Sequence, residues 1–235
     1  MEIYKLPYTL RSRDVNMFRR LRPSQLFELM QEAATDHSEL LGAGIAEIRK
    51  KDLMWVLARQ HVEIERMPAY GEEILIETWP VKTVHSLYPR YYRILDREGS
   101  PIIQSSSIWI LADLRGRTLV PSSVSGFEFP FENRGIEIPL PSPPRSFFVD
   151  QHISFTVPFS YVDLNGHMNN TRYFDLADNL SPAALAGCDP TKITVEYSAE
   201  MLLNREYELL YGQTENRFYL KTGGDKPLFR IVIDY

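Results

Sequence analysis

Residues 155–167, Phe-Thr-Val-Pro-Phe-Ser-Tyr-Val-Asp-Leu-Asn-Gly-His, echo residues 8–18, Tyr-Thr-Leu-Arg-Ser-Arg-Asp-Val-Asn-Met-Phe. In both stretches an aromatic-Thr-aliphatic triplet leads to Asp-x-Asn-x and then a ring. A signature that recurs at long range within one chain points to duplicated units sharing a continuous core. Aligned on Asp14 with Asp163 and Asn16 with Asn165, the copies differ at the end, where the second has His167 and the first Phe18. Only the second copy is armed for chemistry.

The surroundings of the two copies match as well. After the first, Leu26, Leu29, Met30, Ala33, Ala34, Leu40 and Leu41 recur at three- and four-residue spacing, which predicts a helix over 23–41. Pro23 suits its start, and Gly42 and Gly44 its end. The period then changes to two, predicting strands over 55–66, 74–79, 88–95 and 102–111, with turns at 70–71, 96–99 and 113–116. Around the second copy the pattern predicts a strand over 155–162, a helix over 170–180, and strands over 191–201, 206–213, 217–222 and 228–235. Between them the chain turns proline-rich over 121–158, most densely at 139–144. Such a stretch cannot enter a central sheet and makes a semi-rigid connector. Long helix then antiparallel strands, twice over, is an α+β pattern. The expected units are 1–125 and 151–235, joined by a linker at 126–150.

Composition narrows the function. Of 235 residues, 44% are hydrophobic and 24% charged, ordinary for a globular protein. The net charge of −5 argues against a nucleic-acid binder. The lone Cys188 excludes an intrachain disulfide and a cysteine-based zinc site. The first residues lack the order of a signal peptide, and no apolar run reaches the length of a membrane span. The cytoplasm is the expected compartment.

Residues 163–170, Asp-Leu-Asn-Gly-His-Met-Asn-Asn, pack a carboxylate, a carboxamide and an imidazole between a predicted strand and a predicted helix. Loops on a rigid scaffold commonly carry sites, yet Asp, Asn and Gly also make ordinary polar turns. A calcium loop is excluded, because Met168 and Phe174 stand where Gly and Glu are required. Gly42-Ala-Gly44 does not complete a dinucleotide fingerprint.

The segment Asp163-Leu-Asn165-Gly-His167-Met-Asn169-Asn170-Thr-Arg-Tyr173 resembles the active-site segment of the acyl-(acyl carrier protein) thioesterases of plants and bacteria. Residues 29–37, 55–59 and 107–109 are similar to that family's first helix and following strands. Residues 195–200, Val-Glu-Tyr-Ser-Ala-Glu, are similar to its Glu-Tyr-x-x-Glu segment. The resemblance implies a tandem double hot-dog, each unit an antiparallel sheet wrapped around one long helix. The first unit would bind the acyl chain and the second would be catalytic. It implies hydrolysis of fatty acyl thioesters of acyl carrier protein in fatty acid biosynthesis, with Asp163, Asn165, His167 and Glu200 as catalytic residues. Many members carry Cys directly after the second Glu, where this chain has Met201, and Cys188 lies too far upstream to replace it. A thioether cannot form the acyl-enzyme, so carboxylate-activated water is expected, with Asp163 or Glu200 as base and no metal or cofactor. The start of the second helix would offer backbone N–H groups to the thioester oxygen.

Other residues carry weaker expectations. His37 sits near the helix stripe and reads as a packed core histidine; His61, His85 and His152 receive no role. Arg11, Arg13, Arg19, Arg20 and Arg22 crowd the start of the first unit. They form either a solvated face or a docking patch for the acidic carrier protein and its phosphopantetheine phosphate. The two units would pair internally, giving a monomer or a homodimer. The alternatives are a thioesterase for coenzyme A thioesters, a non-catalytic acyl-binding or regulatory protein, and hydratase chemistry on the same scaffold.

Overall fold

Helix α1 (Pro23–Leu40) forms where the apolar stripe predicts it, and buries Leu26, Phe27, Met30, Ala33 and Ala34. The computed structural model describes residues 3–133, 138–142 and 146–235. In the first half β1 (Tyr4–Thr9) and a 3-10 turn (Ser12–Asp14) precede α1. Then come α2 (Ile45–Arg49), β2 (Leu53–Ile64), β3 (Glu73–Pro80), β4 (Tyr88–Leu95), β5 (Pro101–Asp113) and the short α3 (Ser122–Ser125). The second half repeats this order with β6 (Gln151–Thr156), a 3-10 turn (Phe159–Tyr161), α4 (Arg172–Leu180) and α5 (Pro182–Leu185). It ends in β7 (Lys192–Tyr197), β8 (Glu206–Gln213), β9 (Arg217–Thr222) and β10 (Phe229–Asp234).

The ten strands of the described residues join one antiparallel sheet in the order β1-β3-β4-β5-β2-β7-β10-β9-β8-β6. Read outward from the centre, each half runs second, fifth, fourth, third, first strand. The halves meet where β2 pairs β7, from Arg59 opposite Glu196 to Glu63 opposite Lys192. This is the arrangement of two hot-dog units related by a pseudo-two-fold axis between β2 and β7. α1 and α4 lie on the same face and touch through Phe27 and Phe174, whose rings stack with centroids 3.9 Å apart. One apolar cluster runs through both halves, from Leu26 and Val62 to Ile193, Phe229 and Ile231. A bulge at Ala58 shifts the register of β2 against β5. It lets Leu57 and Gln60, three residues apart, both be buried.

Several elements differ from expectation, and β1 and the short α2, α3 and α5 were not among the expected ones. The strand placed at 155–162 lies earlier, at Gln151–Thr156, because the chain reaches Pro158 and enters a 3-10 turn there. β7 stops at Tyr197 rather than 201: the N–H groups of Ser198 and Ala199 both donate to Leu228 O, which ends the ladder. The described parts of the proline-rich stretch are laid onto the protein. Phe129 packs on Tyr88, Ile138 on Trp79 and Tyr91, and Phe147 on Tyr219, while Ser106 donates to Pro139 O. Trp79, Tyr91, Ser106 and Tyr219 alternate with residues that face the helices. Strand pleating therefore puts them on the opposite face, and the connector crosses the back of the sheet. Pro143 and Pro144 lie outside the described residues.

Candidate functional site

The segment 163–170 is a tight turn whose polar residues first satisfy the backbone. Asp163 N–H donates to His167 O at 3.0 Å, Gly166 N–H to Asp163 O at 3.0 Å, and Asn165 N–H to Asp163 Oδ1 at 2.8 Å. Gly166 takes φ +84°, a conformation that favours glycine. A bridge between Val162 and Met168 closes the turn. Glu200 arrives from the far side, where the early end of β7 lets the chain swing toward this turn. Met168 N–H donates to Met201 O at 2.8 Å, and His167 bridges Leu202. These contacts bring all four expected residues together.

His167 sits between the two carboxylates, with Nε2 3.2 Å from Glu200 Oε1 and Nδ1 3.9 Å from Asp163 Oδ1. Nε2 is buried and makes no hydrogen bond among the described residues, so it stands beside that oxygen without bonding to it. Both Asp163 oxygens face Asn165, whose Nδ2 is 3.4 Å from Oδ2. Glu200 Oε1 accepts a 2.7 Å hydrogen bond from Nη1 of Arg117, a residue of the first half that also meets Met54 Sδ at 3.0 Å. Glu200 Oε2 has no hydrogen-bond partner among the described residues. Nothing in the sequence singled out Arg117.

The rest of the motif builds the support. Asn169 Oδ1 accepts from the backbone N–H and the hydroxyl of Thr171, both at 2.9 Å, and so braces the turn that leads into α4, which starts at Arg172 rather than at 170. Asn170 O accepts from the Tyr197 hydroxyl at 2.7 Å. Asn170 N–H has no partner among the described residues, whereas Arg172 N–H is taken by Asn169 O. Tyr173 is buried against Tyr197 and Phe229, and that burial raises its hydroxyl pKa, offset in part by a backbone hydrogen bond with Met201. Met201 is fully buried in the core, and Cys188 is exposed.

A cavity of about 710 Å³ opens from these residues into the first half. Asp163, Asn165, His167, Asn170 and Glu200 line one part of it, and α1, α2, β2, β4 and β5 supply most of the rest, including Ile48, Leu53, Trp55, Leu57 and Trp109. Its wall also carries Arg90, 4% exposed, whose Nη1 meets His37 Nδ1 at 3.3 Å and Thr78 Oγ1 at 3.1 Å. Burial, then the adjacent guanidinium, pushes His37 down to about 4. His37 is buried, the packed core histidine expected. No cluster of three or more His, Cys, Asp or Glu side chains suited to a metal occurs among the described residues.

The first copy of the signature shows a two-residue correction. Asn16, not Asp14, does the work of Asp163: its Oδ1 accepts from Phe18 N–H and Arg20 N–H, and its own N–H donates to Arg20 O. Arg19 takes φ +64° where the second copy has Gly166, and a bridge from Val15 to Leu21 matches Val162 to Met168. Arg20 is therefore the counterpart of His167. The bridge from Arg20 to Ala69 matches His167 to Leu202, which sets Met67 opposite Glu200. Asp14 is instead a fully buried turn residue that accepts from Arg11 N–H and the Tyr8 hydroxyl. The sequence alignment misled because Asp appears in both copies for different backbone reasons. The first copy still lacks every acid-base group.

None of Arg11, Arg13, Arg19, Arg20 and Arg22 lines the cavity, whereas Arg49, Arg90 and Arg117 of the same unit do. Arg20 pairs with Asp189 at 3.4 Å, Arg19 lies over the Tyr70 ring, Arg22 donates to Arg13 O, and Arg13 reaches Asp14 at 3.5 Å.

Comparison with known proteins matches this architecture. Family models described as the N-terminal and C-terminal domains of acyl-ACP thioesterase match residues 1–123 and 148–225. A chloroplastic dodecanoyl-[acyl-carrier-protein] hydrolase of Cinnamomum camphora is 25% identical over 218 residues, covering 86% of this chain and 57% of the relative. A chloroplastic palmitoyl-acyl carrier protein thioesterase of Cuphea hookeriana is 23% identical over 217 residues, covering 84% of this chain and 52% of the relative. The chain thus spans a little over half the length of these curated relatives. Among solved structures, an acyl-ACP thioesterase from Bacteroides thetaiotaomicron aligns with TM-score 0.84 and 24% identity, covering 99% of this chain and 97% of that one. The 12:0-ACP thioesterase from Umbellularia californica aligns with TM-score 0.81 and 22% identity, covering 99% and 96%. At those identities the structures establish a shared fold. The family models cover most of the sequence, and the chain belongs to the acyl-ACP thioesterase family.

Proposed function

We propose that the protein hydrolyses fatty acyl thioesters of acyl carrier protein, releasing free fatty acid by carboxylate-activated water, with no metal and no cysteine nucleophile. The observation that carries this reading is the meeting of Asp163, Asn165, His167 and Glu200 at one part of a 710 Å³ cavity otherwise walled largely by the first half. Units 1–125 and 151–235 divide the work: the first encloses the acyl chain and the second carries the chemistry.

Glu200 is the general base. Asp163 spends both oxygens on Asn165, whereas Glu200 Oε2 is open to water. Glu200 takes a proton as the water oxygen bonds to the thioester carbon, a role worth roughly 10²–10⁴ in rate. The carbonyl oxygen gathers negative charge and meets Asn170 N–H at the head of α4; one such donor is worth about 3 kcal/mol. The C–S bond then breaks, the proton that Glu200 took from water passes to the departing phosphopantetheine sulfur, and His167, between the two carboxylates, orients the array. Met201 supports the water route, since the family's cysteine position is here a buried core side chain. The expected partner is acyl carrier protein, bound by a monomer or homodimer in the cytoplasm, with Arg11, Arg13, Arg19, Arg20 and Arg22 as the docking patch. Among the described residues no helix is long and apolar enough to cross a membrane.

The test is thiol release from carrier-protein and coenzyme A thioesters of graded chain length, with wild type and Glu200→Gln run together. Faster turnover of carrier-protein substrates that the variant loses supports the reading. A preference for coenzyme A substrates refutes the partner, and no release from any thioester refutes the activity.

A further inference from the structure

We infer that Arg117 is a positioning residue for Glu200, so that the reacting site is completed across the junction between the two halves; this rests on the reading of Glu200 as general base. Arg117 stands on the turn after β5, and three features of that turn aim it. Asp113 Oδ1 accepts the backbone N–H groups of Arg115 and Gly116, and Asp113 O accepts from Arg117 N–H at 3.0 Å. Asp113 N–H donates to Thr118 O at 2.9 Å, and a bridge from Ala112 to Leu119 closes the turn. Arg117 itself takes φ +53°, a left-handed conformation that costs a side-chain-bearing residue free energy. Such strain persists where the surrounding contacts over-determine it, and it clusters at functional sites.

The side chain spends this geometry on Glu200. Arg117 Nη1 donates to Glu200 Oε1 at 2.7 Å and to Met54 Sδ at 3.0 Å, while His167 Nε2 stands 3.2 Å from the same carboxylate oxygen. A guanidinium therefore fixes one Glu200 oxygen beside the imidazole and leaves the other facing the cavity, where water and thioester meet. A flexible carboxylate on a turn after β7 has no other side-chain hydrogen-bond donor among the described residues. Arg117, Glu200, His167 and Asp163 form a line in which basic and carboxylate side chains alternate. Its first member comes from the unit that otherwise only encloses the acyl chain. Displacing a reacting group by about 1 Å costs on the order of 10² in rate, so loss of the clamp acts on turnover and not on affinity.

The experiment compares Arg117→Gln, Arg117→Lys and Glu200→Ala, singly and combined, in kcat, KM and Tm. The expected result is a kcat about 10²-fold down in Arg117→Gln, with KM within a factor of about two, partial recovery in Arg117→Lys or with added guanidinium ion, and no further loss when Arg117→Gln is combined with Glu200→Ala. The Tm losses of Arg117→Gln and Glu200→Ala are expected to be less than additive, a readout that needs no turnover. If Glu200→Ala is inactive while Arg117→Gln keeps its kcat, the inference is overturned and the reading of Glu200 stands. If Arg117→Gln raises KM alone, Arg117 contacts the carrier arm and the inference is again overturned. If Glu200→Ala keeps full activity, the reading of the base fails instead, and additive Tm losses would then remove the clamp as well.

Discussion

Replacing Phe174 by alanine tests whether the two halves fold as one body. Phe174 is fully buried on α4 and stacks on Phe27 of α1 across the junction at 3.9 Å. Truncating a buried phenylalanine costs about 3–5 kcal/mol, of which the aromatic pair accounts for about 0.5–1.5. Against a total stability of about 5–15 kcal/mol, that is a large share. For a chain of this length it corresponds to a Tm lower by roughly 6–20 °C. The assay is urea unfolding followed by tryptophan fluorescence and by far-UV circular dichroism. Trp55, Trp79 and Trp109 all belong to the first half, whereas the substitution is in the second. If β2–β7 pairing and the shared core make one cooperative unit, both probes shift together to lower urea. A tryptophan transition that stays in place while the dichroism moves would refute the single-core argument.

Further outcomes follow from the same geometry. His37, held at about 4 by burial and Arg90, stays neutral in the fold while the unfolded chain protonates near 6.5. Stability is therefore intact above that value and falls by about 3 kcal/mol as pH drops toward 4, and His37→Gln flattens the loss in chemical denaturation at graded pH. Asp178 behaves oppositely: burial, then Asp175, lifts it to about 7, with Arg22 pulling back. The fold keeps its proton while the unfolded chain loses it, so stability drops as pH rises from about 4 to 7, and Asp178→Asn is more stable at pH 7 and above. Asn169→Ala removes the acceptor of both Thr171 hydrogen bonds ahead of α4, for about 1–2 kcal/mol of stability, and lowers kcat more than that loss implies because Asn170 loses its orientation. Neutralising Arg11 and Arg19 slows association with carrier protein and flattens its salt dependence. Unchanged kcat/KM at low salt would remove the docking patch.

Much of the fold was legible from apolar residues bounded by turns. The stripe on α1 and the strand runs of β4, β8 and β9 matched the observed limits to within a residue. β6 was misplaced because it is an edge strand with a largely exposed pattern, so alternation carried little signal there. β7 ends where two backbone N–H groups share one carbonyl, and no side-chain pattern reports such an event. The turn 163–170 was legible as a motif, yet half of its residues serve the turn and the entry to α4 and not the chemistry. Arg117 was illegible because its partner lies 83 residues away, across a junction that only the assembled sheet creates.

The most direct test of the account is single-turnover thiol release by Glu200→Gln against wild type on an acylated carrier protein that both bind. The account predicts equal binding and a rate lower by roughly 10²–10⁴ in the variant, the loss expected for a general base. A variant that binds its substrate and hydrolyses it at the wild-type rate would contradict it.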